Sequence, residues 1–220
     1  MVIAKKGELK VKSRGYYTTF QTQWGWFGLA GFHEGLTRTC LPAKNKEMVH
    51  KTLSRGFEVS YDPAYQKEVQ EAVKEYFEGV CVDFGRVPVC LHGLTEFQKT
   101  VLNALRNITY GNTITYRALA QKAHFPNASR AVGRALAANP LPLIIPCHRV
   151  IRSDGSLGGF SAQGGIKIKQ RLLTLERSPE RFEYKRDSFC PDNPVGKAKQ
   201  FLLYFCWAGK KNKKVKICHG

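Results

Sequence analysis

The sequence predicts an α/β N-terminal domain with a small sheet, followed by a mainly α C-terminal domain built around two short helices and a tight turn, a candidate helix-turn-helix. Three observations predict it. Residues 16–60 crowd Tyr16, Tyr17, Phe20, Trp24, Trp26 and Phe27 among threonines and glycines, a composition of strands and turns rather than helices. Just past residue 60 the apolar positions switch to helical spacing. From residue 95 onward, short helical stretches alternate with Gly, Pro and Asn breaks.

The elements follow in order. Asp62 can cap and Pro63 can open a helix whose apolar positions are Tyr65, Val69, Val73, Tyr76 and Phe77, with Gly79 to end it. Residues 80–94 read as a connector, which puts a domain boundary near 90 and divides the chain into 1–90, 91–180 and a basic extension, 181–220. The second unit opens on the capping box Thr95-Glu96-Phe97-Gln98, followed by Val101, Leu102, Leu105 and Ile108 on one face, with Gly111 as the stop. The β-branched Thr113-Ile114-Thr115 leads into a helix of about 116–123, and a break at His124-Phe125-Pro126 precedes a third, about 127–138, for which Asn127 is a cap.

By pattern alone this pair suits an ordinary αα-hairpin as well as a helix-turn-helix. The third helix shifts the balance, because Val132 and Leu136 can face a core while most of the rest is Ala, Ser or Gly with Arg130 and Arg134. A helix with ordinary side chains is about 10–12 Å across, whereas the minor groove of DNA is about 6 Å wide. Small residues permit a close approach to a groove, or equally to another helix. Beyond Asn139-Pro140, the apolar run 141–145 reads as a buried strand ending in Pro146-Cys147-His148-Arg149-Val150. Gly155, Gly158 and Gly159 mark a turn. A last helix, about 165–176, carries Ile168, Leu172 and Leu175 inward and Lys167, Lys169 and Arg171 outward, ending at Glu176.

With 43% apolar and 24% charged residues the 220-residue chain can form an ordinary core, but 35 Lys and Arg against 17 Asp and Glu leave +18. Such an excess points to a polyanionic partner without choosing among DNA, RNA and an anionic membrane. Nothing approaches the roughly 20 apolar residues of a membrane span, and the start lacks a secretory signal, so an intracellular location is expected. The scattered cysteines Cys40, Cys81, Cys90, Cys147, Cys190, Cys206 and Cys218 form no C-x-x-C pair and suggest neither a disulfide framework nor a zinc ribbon. The lysine-rich end of the chain fits a docking helix, a basic tail or an unselected extension.

One cysteine has a chemical context. Cys147 is followed by His148 and Arg149 after a proline and an apolar run, and a thiol becomes a strong nucleophile when a base or positive charge favours the thiolate. Glu176, at the end of the last helix, can return to complete a nucleophile, base and orienter.

Pro146-Cys147-His148-Arg149-Val150 resembles the active-site motif of the O6-alkylguanine-DNA alkyltransferases. The resemblance extends to Tyr110 through Ala120, to Ser129 through Pro140, to Gly158-Gly159-Phe160-Ser161 and to Lys169 through Glu176. It covers about residues 61–177. It implies repair by stoichiometric transfer of an alkyl group from O6-alkylguanine, and from O4-alkylthymine, in double-stranded DNA to Cys147, without a cofactor or metal. It also implies that a monomer grips the duplex through the minor groove, with the damaged base rotated out. By this resemblance Cys147 is the nucleophile, His148 its base through a water, and Glu176 the orienter, while Tyr116 crowds the target phosphate and hydrogen-bonds the guanine. Arg130 is the finger that fills the vacated stack, Ser129, Arg117 and Ser153 contact DNA, Val150 and Ser161 read the base, and Asn139 bridges the third helix and the active-site segment.

The chain departs from the family at Asn103, where a bulky aromatic is common, at Phe160, where tyrosine is common, and at Phe125, where a polar residue would favour DNA contact. Some members carry an N-terminal zinc site; His33 and Cys40 lack its companion spacing, so no metal is expected. The expected compartment is cytoplasm or nucleus. Two readings of other classes compete: a non-catalytic sensor of alkylated guanine, and an unrelated Cys-His hydrolase that leaves the small-residue helix and Arg130 unexplained.

Overall fold

The computed structural model describes residues 15–56 and 58–177. β1 (Gly15–Thr22), β2 (Gly25–Phe32) and β3 (Gly35–Ala43) form an antiparallel meander, and β4 (Val59–Tyr61) adds parallel to β1, giving the order β3-β2-β1-β4. The twofold alternation of β2 serves both faces of the sheet. Phe27 and Leu29 enter the main core, while Ala30 joins Cys40, Ala43, Val49 and Leu53 on the other side.

That second face is covered by α1 (Lys46–Leu53), a helix within the stretch expected to be strands and turns. Asn45 caps it by accepting from the Met48 amide at 3.0 Å, and Val49 and Leu53, spaced i and i+4, are buried. Gly28 makes this contact possible: a Cβ there would stand 2.3 Å from Val49 and 2.7 Å from Leu53.

The next helix, α2 (Lys67–Phe77), starts later than Asp62 and Pro63 suggest. The Asp62 carboxylate accepts from the Ala64 amide at 2.9 Å, closing a turn, and Gln66 at φ 54° sits in the left-handed region immediately before the helix. Val69, Val73, Tyr76 and Phe77 are buried as the spacing requires.

The capping box at Thr95 is present in full and opens α3 (Glu96–Arg106), which stops before Gly111. β5 (Ile114–Thr115) leads into α4 (Tyr116–Lys122), capped by Thr115, and α5 (Ser129–Ala137) follows a turn in which His124 and Asn127 both take positive φ. Asn127 is therefore a turn residue rather than a cap; the cap position is Ala128, which makes no side-chain bond. Phe125 packs on Phe97 with ring centroids 4.7 Å apart, so its apolar surface serves the contact between this turn and α3.

Residues 141–145 are buried but are not a strand. The Ile145 amide donates to the Leu141 carbonyl at 2.8 Å and Leu143 has φ 79°, so the run folds back on itself. A 3-10 turn at Cys147–Arg149 follows, then β6 (Val150–Ile151), which pairs parallel with β5, Ile114 opposite Val150. α6 (Gly165–Arg177) completes the described fold. One apolar core runs from Phe20 and Phe27 of the sheet through α2 and α3 to Val132, Cys147 and Leu172. No helix of the described residues is long and apolar enough to cross a membrane. The extension 181–220, with Cys190, Cys206 and Cys218, lies outside the described residues.

Candidate active site

Cys147 is held by the backbone on both sides. Its amide donates to the Ile145 carbonyl at 2.8 Å, and the Val150 amide donates to the Cys147 carbonyl. Asn139, just after α5, donates to the Ile145 carbonyl at 3.0 Å, accepts from the Leu141 amide at 3.0 Å and hydrogen-bonds the Cys147 thiol. One amide side chain thus fixes α5, the folded-back segment and the sulfur together.

The thiol borders a cavity of about 660 Å³, open to solvent on one side. Tyr116 and Arg117 from α4 line it, as do Ser129, Arg130, Gly133, Leu136 and Ala137 around α5, and Arg152, Ser153, Asp154, Gly159, Phe160 and Ser161 from the loop after β6. Tyr116, Arg117, Ser129, Arg130, Ser153 and Ser161, six of the residues singled out from the sequence, therefore meet Cys147 around one space. Arg130 and Arg117 are exposed at its rim. The Ser161 hydroxyl donates to the Ala137 carbonyl at 3.1 Å, which leaves its oxygen free to accept. Val150 lies outside the lining, and its carbonyl accepts from Lys169 at 2.5 Å.

Behind the cysteine stands a sealed polar cluster. Among its members His148 is 0% exposed and Glu176 is 3% exposed, with Nε2 of the imidazole 2.8 Å from Oε1 of the carboxylate. Arg149 adds Nε and Nη2 bonds to the same carboxylate at 2.9–3.2 Å, and the Gly111 amide donates to Oε2 at 3.2 Å. Burial would raise the Glu176 carboxyl, but the charges and hydrogen bonds of His148 and Arg149 outweigh it and hold the group at about 2. Burial lowers His148, and the Arg149 and Lys169 cations act in the same direction against Glu176. At neutral pH the pair is therefore carboxylate and neutral imidazole. The carboxylate fixes the proton on Nε2, leaving the Nδ1 lone pair, which has no protein partner, as the basic site. Burial pushes the Cys147 thiol up, opposed by its bond to Asn139 and by the Lys169 charge. The resting group is a thiol with a base beside it.

Three members of this site were not assigned to it from the sequence. Tyr76 was one apolar position of α2, yet its hydroxyl donates to Glu176 Oε1 at 2.7 Å. Arg149, which in the sequence is only a charge near the thiol, is bound to Glu176. Lys169, expected to face outward on α6, is 0% exposed, its ammonium bonded to the carbonyls of Val150 and Leu157. Helical spacing does indicate this for Lys169, which lies between the buried Ile168 and Leu172. No local signal could reveal Tyr76, whose partner is 100 residues away. Among the described residues no group of three or more His, Cys, Asp and Glu side chains is placed to hold a metal ion.

Residues 96–178 match the family described as 6-O-methylguanine DNA methyltransferase, DNA binding domain. The chain is 40% identical over 164 residues to the methylated-DNA–protein-cysteine methyltransferase of Methanosarcina acetivorans, covering 74% of this chain and 99% of that protein. Against the protein of the same name from Methanothermobacter thermautotrophicus it is 42% identical over 117 residues, spanning 53% of this chain and 64% of the relative. Among solved structures it is similar to Mycobacterium tuberculosis OGT in complex with DNA, with TM-score 0.62 and 35% identity over 74% of this chain and 92% of that one. The O6-methylguanine-DNA methyltransferase of Pyrococcus kodakaraensis superposes with TM-score 0.58 at 26% identity, over 74% and 99% of the two chains.

Proposed function

The chain belongs to the O6-alkylguanine-DNA alkyltransferase family, DNA-repair enzymes that move an alkyl group onto one of their own cysteines in a single step, and we propose that Cys147 is the acceptor in this member. It binds double-stranded DNA. The donor in this proposal is O6-alkylguanine, with O4-alkylthymine as a second substrate. The observation that carries the assignment is the position of Cys147: its sulfur borders the cavity while His148 and Glu176 are sealed behind it.

A base inside a duplex cannot reach such a sulfur, so the damaged nucleotide must leave the stack and enter the cavity. Helix α5 suits the minor groove because small residues, Ser129, Ala131, Gly133 and Ala137, flank its two exposed arginines, Arg130 and Arg134, and Arg130 at the rim can fill the gap left behind. Arg117, Ser129 and Ser153, which line the same cavity, are the phosphate contacts in this reading. Inside the cavity the Tyr116 hydroxyl donates to the guanine, and Ser161 supplies a further polar contact. The Val150 backbone is assigned to the base edge by the family resemblance. A monomer suffices for this arrangement, and the protein works in the cytoplasm or nucleus, wherever the duplex is held.

The chemistry balances without a cofactor. The Cys147 proton passes through a bridging water to Nδ1 of His148, and Glu176 stabilises the imidazolium. The thiolate attacks the alkyl carbon, a C–S bond forms as the C–O6 bond breaks, and guanine leaves with the bonding pair and takes up a proton from water, while His148 returns the thiol's proton to water. The thioether does not hydrolyse, so each molecule reacts once.

Intact-protein mass spectrometry after mixing with a duplex containing O6-methylguanine tests this reading. One added methyl per protein, absent from Cys147→Ala, is the expected result. Lesion binding with no mass change would identify a sensor and overturn the acceptor assignment.

A further inference from the structure

We propose that Tyr76 is a positioning residue for alkyl transfer: by sharing Glu176 Oε1 with His148, it sets how firmly the carboxylate holds the imidazole that receives the Cys147 proton. This rests on the roles of Cys147, His148 and Glu176 given above. It makes the sheet-bearing N-terminal half, through α2, part of the reactive centre.

The geometry is specific. Tyr76 is 0% exposed, and its hydroxyl lies 2.7 Å from Glu176 Oε1 and 3.5 Å from His148 Nε2. The ring is held edge-on by Tyr110, centroids 5.7 Å apart at 78°, and by Phe77, 5.3 Å apart at 88°, with Phe84 tilted against it at 5.9 Å, so the hydroxyl has little freedom to point elsewhere. Burial and the neighbouring Glu176 charge push its ionisation well above the ordinary tyrosine range, so it stays a neutral donor. Apolar packing alone would be satisfied by phenylalanine. A hydroxyl at this position has a partner, and that partner is the orienter of the base.

Two consequences follow from simple acid–base logic. With the Tyr76 hydroxyl donating to Oε1, the tautomer that donates from His148 Nε2 to the same oxygen is the compatible one. The opposite tautomer would set the Nε2 lone pair against the carboxylate and leave Nδ1 unable to accept a proton. Moreover, Oε1 already takes donors from Tyr76, His148 and Arg149. Removing one concentrates negative charge toward the imidazole and stabilises its protonated form. The groups facing His148 are Glu176 and Lys169 from α6, Arg149 and Cys147 on its own turn, and Tyr76 from α2; the remaining cations do not change with Tyr76.

The test is single-turnover methyl transfer from an O6-methylguanine duplex to the full chain and its Tyr76→Phe variant across pH. The variant is expected to keep one methyl per protein and an unchanged duplex affinity. Its acid limb should move up by about one pH unit, as expected when a carboxylate loses a hydrogen-bond donor, so that the rate on that limb falls about tenfold at a given pH. An acid limb that stays in place, whatever the rate at neutral pH, overturns the proposal. If the variant does not fold, wild-type protein decides: a slowly exchanging tyrosine hydroxyl proton, with an NOE to the His148 ring and a shift that follows its titration, is required, and its absence overturns the proposal. Cys147→Ala run alongside separates the two questions, because methyl uptake by that variant would refute the acceptor assignment whatever Tyr76 does.

Discussion

Glu176 Oε1 stands 2.8 Å from His148 Nε2 across 28 residues of sequence, with both side chains sealed from solvent. The same carboxylate is the only counter-charge among the described residues that is paired with the buried Arg149 guanidinium. Replacing it therefore has two effects of different kinds.

Glu176→Gln keeps the shape but removes the charge. Breaking a buried ion pair from one side costs about 3–5 kcal/mol, because the partner is left uncompensated. The imidazolium also loses its stabilising neighbour, so transfer should slow by about 100-fold or more. Denaturant unfolding and single-turnover rates on one preparation measure the two losses separately. A variant as fast as the parent would remove Glu176 from the mechanism.

The pH dependence has a definite sign. Burial lowers His148 below its usual 6.5, so it is neutral at pH 7 and the transfer rate should hold until the pH falls below the ordinary imidazole range. Stability should begin to decline as the pH drops through 6.5, because the unfolded chain takes up a proton there that the native imidazole refuses. Glu176, held at about 2 against an ordinary 4.5, contributes stability that is fully present above 4.5 and is lost as the pH falls toward 2. Urea midpoints measured from pH 8 to 3 check both steps, and stability that rises on acidification through 6.5 would contradict the buried neutral His148.

The sequence made some of this centre legible and hid the rest, for physical reasons. Cys147, His148 and Glu176 could be proposed because a nucleophile, a base and a carboxylate are chemically conspicuous. The Thr95 capping box was legible because it is a bond between near neighbours. Tyr76 was invisible because an aromatic on an apolar helix face looks the same whether or not its hydroxyl meets a partner. Residues 141–145 misled because a buried apolar run satisfies the pattern of a strand, while the left-handed Leu143 that turns it back leaves no mark in composition. Helix α1 was hidden by the aromatic, glycine-rich strands before it, although Asn45 and the Val49, Leu53 pair were available to mark it.

Arg130 tests the DNA-binding face without touching the fold. It is exposed, so Arg130→Ala should change stability by no more than about 0.5 kcal/mol. Duplex affinity should fall, and because one cation is lost from the DNA-facing rim its log–log salt slope should become shallower by up to about one. Transfer from free O6-methylguanine base, which needs no groove, should be unaffected. Equal losses on the free base and the duplex would place Arg130 in the chemistry instead.

Lys169 ties two parts of the site together, since its ammonium bonds the Val150 carbonyl on β6 and the Leu157 carbonyl in the cavity loop. Burial lowers it to about 8, helped by Arg152 and opposed by Cys147. Lys169→Met removes the costly buried cation but leaves both carbonyls without that donor, so global stability should move less than loop order does. Trypsin cleavage after the exposed Arg152 should accelerate in the variant and methyl transfer should slow. Unchanged proteolysis would mean that the loop is held by other contacts.

Gly158 bears on Tyr116 in the same loop. It has φ +67°, and a Cβ built there would stand 2.9 Å from the Tyr116 hydroxyl and 3.1 Å from its ring. A side chain at this position is strained by the backbone and collides with the group proposed to donate to the guanine. On the other edge of the ring α5 presents Gly133, where even an added Cβ would stand 3.8 Å from Tyr116 Cε1. Gly158→Ala should therefore slow methyl transfer by about tenfold or more while leaving the Cys147 thiol as reactive toward a small electrophile as in the parent. Parallel rates with O6-methylguanine DNA and iodoacetamide check it: a matched fall in both would locate the damage at the sulfur, and a fall confined to DNA would locate it at Tyr116.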